Sequence, residues 1–299
     1  MIAVARQHKW SKTEVSKRST IPQVTLWQWF DGTYGGAVTN VSDRVEKWLD
    51  ATDEMTLAAA RVPMAPGFVV TPTAARLTDM LLYAQMMPAM VLGTLAPGMG
   101  KTKTAEQYEA THPAVLKVTM RPTTSSVQRM LLTIAEALDV NENNPGDRER
   151  GIGKKLKRNG KHTLLIVDEA QHLVDQAVNQ LRYLHDEFGV GIALLGNEEL
   201  YGRFGDSTPK PAYAQLHSRI GMRMKQLQPA AGDVEALVEA WGIADPEVVK
   251  LARALGRKPG ALRQVSETLK LAGMYAAGEG REIGPKDLHV AIKNRGVED

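Results

Sequence analysis

The sequence predicts an α/β fold: a parallel sheet with crossover helices, set between a small helical unit at the N terminus and a helical region at the C terminus. Three observations carry this. Four short apolar runs, AMVLGTL, AVLKVTM, TLLIVDEA and VGIALLGN, are strand-like, and each is separated from the next by enough chain for a helix. After Pro229 such runs stop and helical periodicity takes over, punctuated by Gly242, Pro246, Gly256, Pro259 and Gly278. The first run leads into a glycine-rich turn and the third ends in two carboxylates, which puts polar chemistry at the ligand edge of the sheet.

At 299 residues two or three compact units are expected. A hydrophobic fraction of 43% with 24% charged residues is ordinary for a soluble globular protein and too apolar for a disordered one. There is no cysteine, so disulfides and thiolate zinc sites are excluded and a cytoplasmic location fits best. The longest apolar stretch, Met80 to Leu95, is broken by Gln85 and Pro88 and is shorter than the roughly 20 residues of a membrane helix, so no membrane partner is expected. A formal charge of +3 permits a nucleic-acid partner without requiring one.

In chain order, residues 1–55 read as a helical, helix-turn-helix-like domain. Ser11 to Ser16 start one helix, Ser19 to Pro22 form the turn, and Gln23 to Phe30 make the next. Arg6, Lys9, Lys12, Lys17 and Arg18 crowd there against Glu14 alone, a basic face suited to DNA phosphates, with Lys12, Lys17 and Arg18 as the DNA-binding candidates. Trp27 and Trp29 cannot both face one core if their segment is helical. Residues 56–72, Ala-rich and then broken by Pro63, Pro66, Gly67 and Pro72, read as a linker. Residues 73–228 form the α/β domain and 229–299 a helical lid.

The chemistry begins at Pro97-Gly98-Met99-Gly100-Lys101-Thr102-Lys103, which follows a strand and opens a helix, the context of a phosphate-binding P-loop. Gly98 and Gly100 let backbone N–H groups close around phosphate oxygens, and the helix N terminus adds partial positive charge. Lys101 supplies a full charge to the β- and γ-phosphates of ATP, and Thr102 a hydroxyl for Mg2+. Leu95 stands where the usual pattern has its first glycine. In the third run Asp168 is placed to hold Mg2+ through water, and Glu169 to polarise the water that attacks in phosphoryl transfer.

These motifs look like the Walker A and Walker B elements of AAA+ ATPases, and the resemblance extends further. Asn197, ending the fourth run, resembles the sensor 1 asparagine, and Arg263, in the first turn after Lys258-Pro259-Gly260, resembles the sensor 2 arginine. In AAA+ assemblies a neighbouring subunit supplies an arginine finger; Arg219 is the candidate, with Arg223, on the same face if the segment is helical, as the alternative. With GMGKT, IVDEAQHL, LLGN, SRI and KPGALR in order, the chain resembles the phage Mu target-DNA activator ATPases (the MuB family) along nearly its whole length, and more distantly the TniB and TnsC transposition ATPases.

That resemblance implies an Mg2+-dependent ATPase that binds double-stranded DNA with little sequence specificity. It implies helical filaments of the protein assembling with ATP, and delivery of DNA to a cognate transposase. The basic run Lys154, Lys155, Lys157, Arg158 and Lys161 is then the best candidate for the DNA-facing surface, with Arg121, Thr123 and Thr124 as weaker ones. A helicase loader is the nearest alternative. A signalling or secretion ATPase that binds protein rather than DNA belongs to a different class. The seven histidines show no ligand spacing, and a metal-dependent hydrolase or Ser-His enzyme is not supported.

Overall fold

The computed structural model describes residues 8–61, 65–158, 160, 162–205 and 213–297, with the backbone alone for 57–61; Arg6 and Lys161 lie outside the described residues. The chain divides into two compact units, Met1–Met64 with Ala277–Arg281, and Ala65–Ala276 with Glu282–Asp299.

Among its described residues the N-terminal part of the first unit holds the helices α1 (Lys12–Ser19), α2 (Gln23–Phe30) and α3 (Val38–Arg61). Ser11 starts α1 through a capping box: its Oγ accepts the Glu14 N–H at 3.3 Å while the Glu14 carboxylate accepts the Ser11 N–H at 3.2 Å. Thr20, in the left-handed region at φ 55°, ends α1, and Pro22 opens α2, so the turn is shorter than the sequence suggests. Val15, Ile21, Leu26, Val41 and Val45 form the core, with Trp10, Trp29, Tyr34 and Trp48 against it. The two tryptophans of α2 do part company. Trp29 joins the core and donates from Nε1 to Ser42 Oγ at 2.9 Å, whereas Trp27 lies beneath the Lys12 ammonium and beside Phe30. Residues 56–61, expected as linker, continue α3, because nothing in this alanine-rich stretch breaks a helix before Pro63.

In the second unit the sheet runs β2-β3-β4-β1-β5, all parallel, from β1 (Met90–Leu95), β2 (Val115–Thr119), β3 (Leu164–Asp168), β4 (Gly191–Gly196) and β5 (Ile220–Gln226). Helices α4 (Pro72–Met86) and α5 (Lys101–Thr111) cover one face; α6 (Val127–Ala137), α7 (Pro145–Arg158) and α8 (Asp175–Phe188) cover the other. Strand residues alternate between these cores. Leu165, Val167, Ile192 and Leu194 pack with Met130, Ile134 and Leu156, while Leu164, Ile166, Ala193 and Leu195 pack with Leu77, Leu81 and Tyr108. Burial on both faces is why these strands read as unbroken apolar runs. Gly93 brings α4 onto β1: a Cβ there would lie 2.7 Å from the Leu195 side chain and 2.8 Å from that of Met80.

The fifth strand corrects the sequence reading, which left open a helix over Arg219 to Arg223. IGMRMKQ is an edge strand paired on one side only, and its mixed, half-exposed residues carry no clear period. Beyond it the lid comprises α11 (Asp233–Ala240), α12 (Pro246–Gly256), α13 (Ala261–Gly278) and α14 (Pro285–Asn294), around Val238, Val248, Val265, Leu269 and Leu288. The lid is tied to the α/β core by Asp233. Its fully buried carboxylate accepts the Thr73 N–H at 2.8 Å, the Thr73 hydroxyl at 2.5 Å and the Ala230 N–H at 2.6 Å.

Candidate nucleotide site and its flanking charges

The turn between β1 and α5 is built as the phosphate chemistry requires. Gly98 and Gly100 both adopt the left-handed region, at φ 83° and 85°, which L side chains resist, and Lys101 starts the helix. Leu95 is fully buried as the last residue of β1, so the loop proper starts at Ala96, anchored by its N–H to the Gln226 carbonyl at 3.0 Å. Pro97 is exposed, whereas the Met99 side chain is buried in the core below, leaving Met99 only its backbone to offer a ligand. Lys103 turns out to solvent and pairs with Glu106 at 2.9 Å; its ammonium is not part of the cradle.

Lys101 is only 8% exposed. Burial holds its pKa below the ordinary lysine value; the Glu169 and Asp168 carboxylates oppose that shift, and the Arg263 guanidinium adds to it. Asp168, fully buried at the end of β3, accepts the Thr102 hydroxyl on Oδ2 at 2.7 Å. A hydroxyl and a carboxylate side by side are hard oxygen donors of the kind Mg2+ takes when substrate phosphates and water complete its shell. Among the described residues no group of three or more His, Cys, Asp or Glu could hold a metal ion. Glu169 follows in the left-handed conformation at φ 55°.

Arg263 is brought to this loop from the lid, 165 positions farther along the chain. Its main-chain N–H donates to the Gly98 carbonyl at 3.1 Å, and the Gly260 carbonyl sits where a Gly98 Cβ would be, 1.9 Å from it. Sequence reasoning found both glycines but not their approach, for which local pattern holds no signal. It also passed over Gln171, whose amide donates to Glu169 Oε2 and accepts the Asn197 N–H at 3.4 Å. Asn197 itself caps α9 (Glu198–Phe204): its Oδ1 accepts the Glu199 N–H at 3.0 Å, so the oxygen serves the strand-to-helix turn, and no described residue accepts from its Nδ2.

Arg219 and Arg223 do not share a helical face. Arg219, exposed after the short helix α10 (Ala214–His217), pairs with Asp186 at 3.1 Å. Arg223, within β5, donates to the carbonyls of Ile220 at 3.3 Å and His217 at 3.1 Å and is committed to its own backbone. Because Ile220 pairs with Met90, at the start of β1, Arg219 stands at the opposite edge of the sheet from the phosphate loop.

The basic candidates are exposed, in separate places. Lys12, Lys17 and Arg18 lie along α1, with Lys12 over Trp27 and Arg18 over Trp10, each at 4.4 Å. Lys154, Lys155, Lys157 and Arg158 line the outer face of α7, opposite buried Ile152 and Leu156. A Thr163 Oγ1 bond to the Leu156 carbonyl at 2.9 Å fixes that end of α7 at the N-terminal edge of the strands. Arg121 and Thr123 are at the other edge, in the turn after β2; Arg121 N–H donates to Thr124 Oγ1 at 2.8 Å, so Thr124 is spent on the turn.

Two family models match. Residues 218–294 match the Mu B transposition protein, C terminal, and residues 90–204 an AAA domain. The chain is 29% identical over 282 residues to the ATP-dependent target DNA activator B of Escherichia phage Mu, covering 94% of this chain and 88% of that one. It is also 29% identical over 262 residues to the Mu-like prophage FluMu DNA transposition protein B of Haemophilus influenzae, covering 86% and 90%. Among solved structures, Cdc6p from Pyrobaculum aerophilum aligns with TM-score 0.57 at 15% identity over 77% of this chain and 69% of that one. The Aeropyrum pernix Orc1 protein in complex with DNA aligns with TM-score 0.51 at 18% identity, covering 76% of this chain and 66% of that one, a likeness of fold.

Proposed function

We propose that the chain, an AAA+ ATPase similar to the Mu B proteins, assembles with ATP into helical filaments on double-stranded DNA, with little sequence preference, and delivers that DNA to a cognate transposase. The carrying observation is a division of labour across the sheet. Lys101, Asp168, Glu169 and Arg263 converge at one edge, while Arg219, the arginine candidate not committed to its own backbone, stands at the other. A finger in that position serves the nucleotide of a neighbouring subunit, so hydrolysis depends on head-to-tail assembly.

At the phosphate edge the N–H groups of the loop and Lys101 bind the β- and γ-phosphates, and Glu169 takes the proton of the attacking water as the γ-phosphorus–oxygen bond to ADP breaks. Thr102 and Asp168 would hold Mg2+, which would supply neutralisation of the phosphate charge. The hydrogen bond from Arg263 to Gly98 couples the lid to occupancy of the loop, which suits a protein whose assembly follows its nucleotide state. The exposed cations of α7 supply a phosphate-binding surface, and work on DNA in the bacterial cytoplasm follows.

The test is binding to unrelated duplex DNA with ATP, with ADP and without nucleotide, for the wild type and Lys101→Ala, at two salt concentrations. Cooperative, salt-sensitive binding that needs ATP and is lost in Lys101→Ala is expected. Absence of DNA binding in every nucleotide state overturns the reading in favour of a protein-directed ATPase.

A further inference from the structure

Two positions beyond the paired carboxylates, Gln171 joins three parts of the site. Its Nε2 donates to Glu169 Oε2 in a short hydrogen bond, and its Oε1 accepts the main-chain N–H of Asn197 at 3.4 Å. Its own carbonyl accepts from Arg203 Nη1 at 3.2 Å, and Arg203 in turn is paired with Asp175. The fit is close: a Cβ on Gly196 would lie 2.7 Å from Gln171 Oε1, so the glycine ending β4 is what lets the amide in. Glu169 meanwhile carries a left-handed backbone, a conformation that a non-glycine residue keeps only where its surroundings impose it.

We infer that Gln171 is a positioning residue for ATP hydrolysis, which holds the Glu169 carboxylate by Oε2 and leaves Oε1 to receive the proton of the attacking water. No described residue donates to Oε1, so the rotation of the carboxylate about its last torsion is set by Gln171. That torsion is intrinsically broad, and an unrestrained carboxylate would spend much of its time misdirected. Because the amide is fixed at its other end to the Asn197 N–H, the base is referenced to β4 as well as to its own strand. The inference rests on the ATPase reading above and goes beyond it, since none of the roles assigned there involves Gln171.

The experiment uses the full-length protein with saturating duplex DNA. It compares ATP hydrolysis and thermal melting of the wild type, Gln171→Ala, Gln171→Glu, Glu169→Gln and the double variant Glu169→Gln with Gln171→Ala. Gln171→Glu keeps the shape but replaces the donor by an oxygen, so it removes the orientation without opening a hole. In both Gln171 variants kcat should fall by about tenfold to a hundredfold, the loss expected when a reacting group is misplaced, while the KM for ATP and the Tm of Gln171→Glu stay at wild-type values. In the Glu169→Gln background Gln171→Ala should add nothing, as required of a residue that acts through Glu169. Wild-type kcat in Gln171→Glu, or an equal further loss in the double variant, overturns the inference. If instead the wild type itself fails to hydrolyse ATP, or Lys101→Ala hydrolyses it as fast, the ATPase reading falls and not this one alone.

Discussion

The main-chain N–H of Arg263 donates to the Gly98 carbonyl at 3.1 Å, so the first turn of the lid helix α13 rests on the phosphate loop itself. The lid is therefore a wall of the candidate nucleotide site as well as a neighbouring subdomain, and backbone supplies both sides of the junction.

Gly98→Ala should separate this junction from the rest of the site. The added Cβ would meet the Gly260 carbonyl at 1.9 Å and would have to accept φ 83°, a strain of roughly 1–2 kcal/mol before the clash is counted. Nucleotide affinity should fall by about tenfold or more. Arg263→Ala leaves the backbone bond in place and should retain affinity within a few-fold while losing hydrolysis. Titration with a fluorescent ATP analogue alongside steady-state rates checks both; equal affinity in Gly98→Ala and wild type would show that the lid does not shape the site.

How much of this was legible in the sequence depends on whether the chemistry is local. The strand-turn-helix setting of GMGKT and the strand ending in Asp168 could be read because phosphate binding demands particular residues at fixed spacing on such a unit, and the structure has both elements there. The Thr73–Asp233 tie and the Gly98–Gly260 approach join residues more than 150 positions apart, and neither partner is unusual in its own neighbourhood. Strand β5 escaped because an edge strand needs only one paired side and tolerates Arg223 and Lys225 in its length. Asn197 was singled out for its place at a strand end, and the same place makes it a helix cap.

Tyr108 gives a pH dependence whose sign can be worked out. Burial pushes its phenol up to about 12 from an ordinary value of 10.0, and the hydroxyl donates to Gln85 Oε1 at 2.7 Å. The folded state therefore holds a proton that the unfolded chain releases between about pH 10 and 12. The stabilisation is complete below pH 10 and is lost as pH rises through the folded value. Tyr108→Phe should lower Tm at neutral pH, since it leaves the buried Gln85 oxygen without this donor at a cost of about 1–3 kcal/mol. Its Tm should also fall less steeply than that of the wild type above pH 10. Parallel slopes in melting curves taken from pH 8 to 11.5 would refute the assignment.

The DNA-binding candidates differ in position, and salt dependence can tell them apart. Lys154, Lys155, Lys157 and Arg158 lie at the N-terminal edge of the strands, and Arg121 and Thr123 at the C-terminal edge. If the α7 cations meet phosphates, replacing all four by alanine should weaken binding of every sequence alike and reduce the slope of log K against log salt by about 0.9 for each phosphate no longer neutralised. An Arg121→Ala change should add independently to that loss, given the distance between the two places. An unchanged slope in the fourfold variant would leave these charges as a solvated helix face.

Arg219 yields a test that needs two defective proteins. It is 42% exposed in its side chain and paired with Asp186, so Arg219→Ala should cost little stability, in keeping with surface ion pairs. It should nonetheless suppress DNA-stimulated hydrolysis by about 10³-fold, the lower end for loss of an arginine finger, with ATP binding intact. Lys101→Ala fails for the opposite reason, lacking the phosphate ligand but presenting a sound Arg219. In a random filament made from equal amounts of the two, about a quarter of the interfaces set an intact phosphate loop of one protein against an intact arginine of the other. Mixing should therefore restore a fraction of wild-type activity that neither protein has alone, whereas Arg223→Ala, whose arginine bonds its own backbone, should act through folding and gain nothing from the same partner. Failure of the mixture to recover, with both variants shown to co-assemble, would mean that Arg219 does not reach a neighbouring nucleotide.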